Sequence, residues 1–116
     1  MSNKSIIAAL FALPIAITQA SAHATLDHSD PRVGNTVKSS PSAVTLWFTQ
    51  KLEPAFSSAQ VTNASGAVVS TGASVSGTVM RVGVRSLPPG TYRVHWKVLS
   101  VDTHTTEGSF SFRVGQ

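Results

Sequence analysis

Tyr92-Arg93-Val94-His95-Trp96-Lys97-Val98 alternates large apolar side chains with basic ones. That is the period of a β-strand with one buried face and one wet face. The same period recurs on either side of it. Val44, Leu46 and Phe48 alternate with Thr45, Trp47 and Thr49, and Phe110, Phe112 and Val114 alternate with Ser109, Ser111 and Arg113. From residue 23 onward no segment sustains a helical period. Weaker strand patterns cover 59–63, 67–71 and 78–84, and Asn63-Ala64-Ser65-Gly66 signals a hairpin turn between the first two. Pro31, Gly34, Pro41, Pro54, Gly72 and Leu87-Pro88-Pro89-Gly90 punctuate the rest. About seven short strands in a domain near 100 residues predict an all-β fold, a Greek-key sandwich or barrel of immunoglobulin-like size.

The whole chain has 116 residues, which allows one domain. Its start reads as a leader and not as part of that domain. Lys4 precedes an unbroken apolar run over 6–17, and Ala20-Ser21-Ala22 supplies the small-x-small pattern of a signal-peptidase site. The run is too short to span a bilayer comfortably as a helix. We therefore expect a cleaved signal peptide over 1–22 and a mature domain over 23–116. There is no cysteine, so the core must hold without disulfides, and thiolate metal sites and cysteine nucleophiles are excluded. The formal charge is +4 at pH 7, yet Arg32, Lys38, Lys51, Arg81, Arg85, Arg93, Lys97 and Arg113 are scattered with little aromatic interleaving. Such scatter is the pattern of a solvated surface and not of a nucleic-acid interface.

Cleavage after Ala22 changes the chemistry of the next residue. A terminal His23 offers its α-amine and its ring Nδ1 to one ion, closing a six-membered chelate. The amine has an unperturbed pKa of about 8, so a metal displaces its proton near neutrality. Cu(II) favours such tetragonal nitrogen and oxygen donor sets. The second element is Val101-Asp102-Thr103-His104-Thr105-Thr106-Glu107-Gly108, expected as a loop or bend between two strongly patterned strands. Asp102 and His104 are two residues apart, which in extended backbone puts both side chains on one side. Alone, an Asp-x-His pair suits a capping or surface role better, since turns favour Asp. Beside a terminal histidine it reads as the other half of a metal site.

These motifs resemble the CopC/PcoC-type periplasmic copper-resistance proteins over essentially all of 23–116. The resemblance is carried by His23-Ala24, Ser29-Asp30-Pro31-Arg32-Val33-Gly34, Val44-Thr45-Leu46-Trp47-Phe48-Thr49, Leu52-Glu53-Pro54-Ala55-Phe56-Ser57 and Leu87-Pro88-Pro89-Gly90-Thr91-Tyr92. Its most specific part is Val94 to His104 followed by Gly108-Ser109-Phe110-Ser111-Phe112. It implies a Greek-key β-fold and one Cu(II) per chain, held by residues matching His23, Asp102 and His104. It also implies sequestration or transport of copper in the periplasm, with hand-over to a CopD-type inner-membrane importer. Two departures stand out. The mature chain keeps a single methionine, Met80, whose alternation with Val82 and Val84 marks it as core, so the Met-rich Cu(I) site of some members is not expected. Gln50 stands where the family often has a glutamate near the ion, which removes a negative charge from the surroundings of the site.

The other candidates read more plainly. His28 precedes Ser29-Asp30-Pro31 and is expected on a surface loop. His95 shares a strand face with Arg93 and Lys97, and solvated strand surface is the expectation. Trp47 lies opposite Leu46 and Phe48, as cover for the second face or as a contact patch. Glu107 is either a solvated loop acid or an outer partner that orients His104. Two other function classes compete with copper carriage. One is a terminal-His copper-brace oxidase acting on polysaccharide, the other a metal-free structural β-sandwich. Copper-dependent polysaccharide oxidation would favour the first, and a leader cut elsewhere would favour the second. No Ser-His-Asp arrangement, phosphate-cradling glycine loop or paired catalytic carboxylates can be made out, so the chain is read as a monomeric binding protein without enzymatic activity, nucleic-acid partner or small-molecule substrate.

Overall fold

With no helix pattern to cover them, alternating apolar side chains are buried by packing two sheets face to face, and that is the architecture found. A computed structural model describes residues 24–115. The expected signal peptide over 1–22, the cleavage point, His23 and Gln116 lie outside the described residues. Eight strands follow in order: β1 (Leu26–Asp30), β2 (Thr36–Val37), β3 (Ala43–Phe48), β4 (Ser58–Thr62), β5 (Ser70–Ser76), β6 (Val79–Val84), β7 (Gly90–Leu99) and β8 (Thr105–Val114). One sheet has the order β1-β3-β6-β5 and the other β2-β8-β7-β4. All pairs are antiparallel except β2 with β8. The chain crosses between the sheets after β1, β2, β3, β4 and β6, in the manner of a Greek-key sandwich.

The predicted alternation is seen in the burial. Val44, Leu46 and Phe48 of β3 and Met80 and Val82 of β6 face Tyr92, Val94, Trp96 and Val98 of β7 and Phe110, Phe112 and Val114 of β8, all in one buried cluster. Phe48 meets Trp96 edge-on with ring centroids 5.1 Å apart. Gly108 pairs with Trp96 across the β7–β8 ladder, and a Cβ added there would lie 2.5 Å from the indole ring. At the far end of the sandwich the Tyr92 hydroxyl donates to the Pro88 carbonyl at 2.5 Å, a tyrosine corner that ties the Pro88-Pro89-Gly90 turn to the core.

Two expectations need correction. The strand expected over 67–71 is found at Ser70–Ser76. Val68 and Val69 only bridge back to β4, at Thr62 and Val61, before the chain crosses to the other sheet. Once there it forms an exposed sheet edge whose Ser, Thr, Gly and Ala side chains need no apolar alternation. His28, expected on a loop, lies in β1, exposed, with its ring stacked on Trp47 at 4.3 Å. Strand β1 is a polar edge strand with an irregular register between Leu26 and His28, which hides its period.

Candidate metal centre

Strands β7 and β8 are joined by a short turn, so the loop expected over 101–108 is confined to 100–104 and Thr105 to Gly108 already belong to β8. Thr103 adopts φ 73°, the left-handed region that a β-branched residue rarely visits. The turn thereby brings Asp102 Oδ1 and His104 Nδ1 to 3.6 Å from each other. The two side chains share one side because the backbone doubles back, and not because it is extended as the spacing had suggested. Both are about half exposed.

Ser100 organises this turn. It is fully buried. Its hydroxyl donates to Asp102 Oδ1 and receives the His104 amide at 3.3 Å, while its own amide donates to the His104 carbonyl at 3.0 Å. The Ser100 bond holds the Asp102 carboxyl below its ordinary value of 3.8, slight burial opposes this, and His104 adds a hydrogen bond and its charge on the lowering side. A carboxylate that stays ionised to low pH keeps its oxygens free of a competing proton there. The sign follows directly: the folded value is depressed, so the stabilisation is complete above 3.8 and fades as pH falls through the folded value. Ser100→Ala should raise the Asp102 midpoint toward 3.8 in a carboxyl NMR titration of the metal-free protein. An unchanged midpoint would mean that Ser100 does not hold the carboxylate. Sequence reasoning missed Ser100, because nothing in a serine before Val101 announces a buried hub.

The start of the domain is fixed against the same end of the sandwich. Ala24 is fully buried, and its carbonyl accepts a bond of 2.6 Å from the Thr106 hydroxyl. The Thr25 amide donates to Thr49 Oγ1 at 3.0 Å, and the Thr49 amide donates to the Thr25 carbonyl at 2.9 Å. Gln50 follows directly and is half-buried. Thus Ala24 is bonded to the residue two positions after His104.

The remaining candidates are drawn elsewhere. His95 Nε2 lies 2.7 Å from Glu107 Oε2 on the exposed face of β7 and β8, so Glu107 partners His95 and is not placed to orient His104. His28 Nδ1 lies 2.6 Å from Asp27 Oδ2. Met80 is fully buried between the sheets. A surface cleft of about 510 Å³ is lined by Ser58, Gln60, Thr71, His95 and Lys97 among others and includes neither Asp102 nor His104.

The donor set suits one ion as far as it is described. With metal–ligand bonds of about 2 Å, an ion can reach both Asp102 Oδ1 and His104 Nδ1 across their 3.6 Å separation. Among the described residues no group of three His, Cys, Asp or Glu side chains gathers to hold a metal. Asp102 and His104 form a pair, and the third expected ligand, His23, lies outside the described residues.

Comparison with known proteins places these features. The CopC domain family matches residues 26–115. Copper resistance protein C of Xanthomonas campestris pv. juglandis is 36% identical over 115 residues, covering 90% of each chain. Protein YobA of Escherichia coli strain K12 is 36% identical over 98 residues, covering 80% of this chain and 79% of its own. The crystal structure of CopC from Methylosinus trichosporium OB3b superposes with a TM-score of 0.77 at 32% identity, covering 80% of this chain and 94% of that one.

Proposed function

The chain belongs to the CopC family, and on that premise we propose that it is a periplasmic copper carrier. It binds one Cu(II) ion per chain through the amine and ring of a mature terminal His23, the His104 imidazole and the Asp102 carboxylate. The observation that carries this is the convergence of Asp102 and His104 on one turn, beside a buried Ala24 bonded to Thr106. Residue 23 is one peptide link from Ala24, about 3.8 Å between Cα atoms, and Ala24 is the residue bonded to the strand that leaves His104. The preference for Cu(II) is supported by the donors, nitrogen and anionic oxygen, and by the burial of Met80, which withdraws the one soft ligand of the domain. Asp102 takes part of the coordination plane that an oxidase would keep open, which favours carriage over catalysis. Delivery as a monomer to a CopD-type inner-membrane importer completes the proposal.

Intact-mass measurement of the exported protein, with and without Cu(II), tests it. The expected species lacks residues 1–22, gains the mass of one copper, and gives up copper to a Cu(I) chelator after reduction. A mature chain that starts at another residue, or stoichiometric Cu(I) retained against the chelator, would count against it.

A further inference from the structure

Residues 24 and 25 belong to no strand, yet three consecutive backbone polar groups are taken up. The Ala24 carbonyl is bonded by Thr106 Oγ1, the Thr25 amide by Thr49 Oγ1 and the Thr25 carbonyl by the Thr49 amide. The Thr25 and Thr49 hydroxyls lie 3.3 Å apart as well. Chain starts ordinarily fray unless they are tied down. This one is tied to the end of the sandwich that carries Asp102 and His104, by a side chain two residues beyond His104. We infer that Thr106 is a positioning residue for copper: its hydroxyl, through the Ala24 carbonyl, sets where the amine and ring of a terminal His23 meet the Asp102–His104 pair. The inference rests on the proposed role of His23.

The physical reason is preorganisation. A terminal residue supplying two donors to a metal loses backbone freedom on binding, and a neighbour already fixed in place has less to lose. A hydrogen bond to a fully buried carbonyl fixes it well, because a carbonyl left without a partner there is costly. Valine in place of Thr106 keeps the branched shape and removes the donor. Serine keeps the donor and removes the methyl group.

The experiment uses the mature protein starting at His23, with Cu(II) affinity measured by competition, the copper EPR spectrum, and the thermal midpoint of the metal-free form. Thr106→Val should weaken Cu(II) binding about tenfold, the lower end of what partners behind metal ligands contribute. Its EPR spectrum should move toward that of His23→Ala. Thr106→Ser should keep the parental spectrum and affinity. Tyr92→Phe breaks the tyrosine corner at the far end of the sandwich, so it should lower the thermal midpoint and leave the copper spectrum alone. Parental affinity and spectrum in Thr106→Val, with binding lost in His23→Ala, would overturn the positioning role and leave the ligand assignment standing. Parental binding in His23→Ala would overturn both. Equal losses in Thr106→Val and Tyr92→Phe, each with a parental spectrum, would reduce Thr106 to a general stabilising contact and overturn the inference.

Discussion

One extra residue ahead of His23, or alanine in place of His104, will weaken Cu(II) binding on the order of 100-fold or more, since groups behind a metal ligand already contribute about 10–100-fold. The two changes act on different donors. The extension turns the terminal amine into an amide and opens the chelate while leaving every side chain in place. His104→Ala removes an imidazole that the turn holds 3.6 Å from Asp102. Asp102→Asn should weaken binding by a smaller step, because the amide keeps an oxygen but loses the charge that Ser100 and His104 stabilise. His95→Ala is the control: its ring pairs with Glu107 on the outer face of β7 and β8, and copper affinity should not change. EPR on each variant separates ligand loss from unfolding. Parental spectra and affinities in both the extended protein and His104→Ala would mean that copper is held elsewhere.

Phe112→Ala should cost about 3–5 kcal/mol, the range for removing a large buried aromatic. Phe112 is fully buried and stacks on Tyr92 with ring centroids 5.7 Å apart. Beneath it the two sheets meet over Val44, Leu46, Met80 and Val94, all fully buried, so the vacated volume cannot be filled by a side chain swinging in from the surface. A small domain is typically stable by about 5–15 kcal/mol, and this one has no disulfide to compensate. The loss is therefore a large share of the total. Urea denaturation would register it as a lower midpoint at unchanged slope. A shift below about 1 kcal/mol would mean that the packing around Phe112 relaxes far more than close-packed cores do.

The core strands were readable from sequence because each has one wet face and one dry face. Tyr92 to Val98 and Phe110 to Val114 could be assigned side by side with their inward residues named. Strands β1 and β5 were not, since both are sheet edges whose side chains are mostly polar or small and whose registers are irregular. At the candidate site, the spacing of Asp102 and His104 pairs them, but it implies an extended backbone where the structure has a turn. What brings them together is a left-handed Thr103 and a buried Ser100, and neither residue type declares such a role. Glu107 was the nearest acid in sequence to His104, yet strand pairing turns it to His95. Thr106 lies 82 residues from its partner Ala24, a distance over which no local pattern reports.

That same span orders events in the life of the molecule. The first buried residue among those described, Ala24, waits for a hydroxyl on the last strand, and contacts so far apart in sequence form late because the intervening chain must close first. Because the chain is made amino end first, Ala24 has no Thr106 to meet until nearly the whole polypeptide exists. A chain that stalls or is clipped within β7 lacks Asp102, His104 and Thr106 together, so on the proposed ligand set such fragments would not compete with finished protein for copper. If the proposed ligand set holds the ion, metal capture then reports a completed chain.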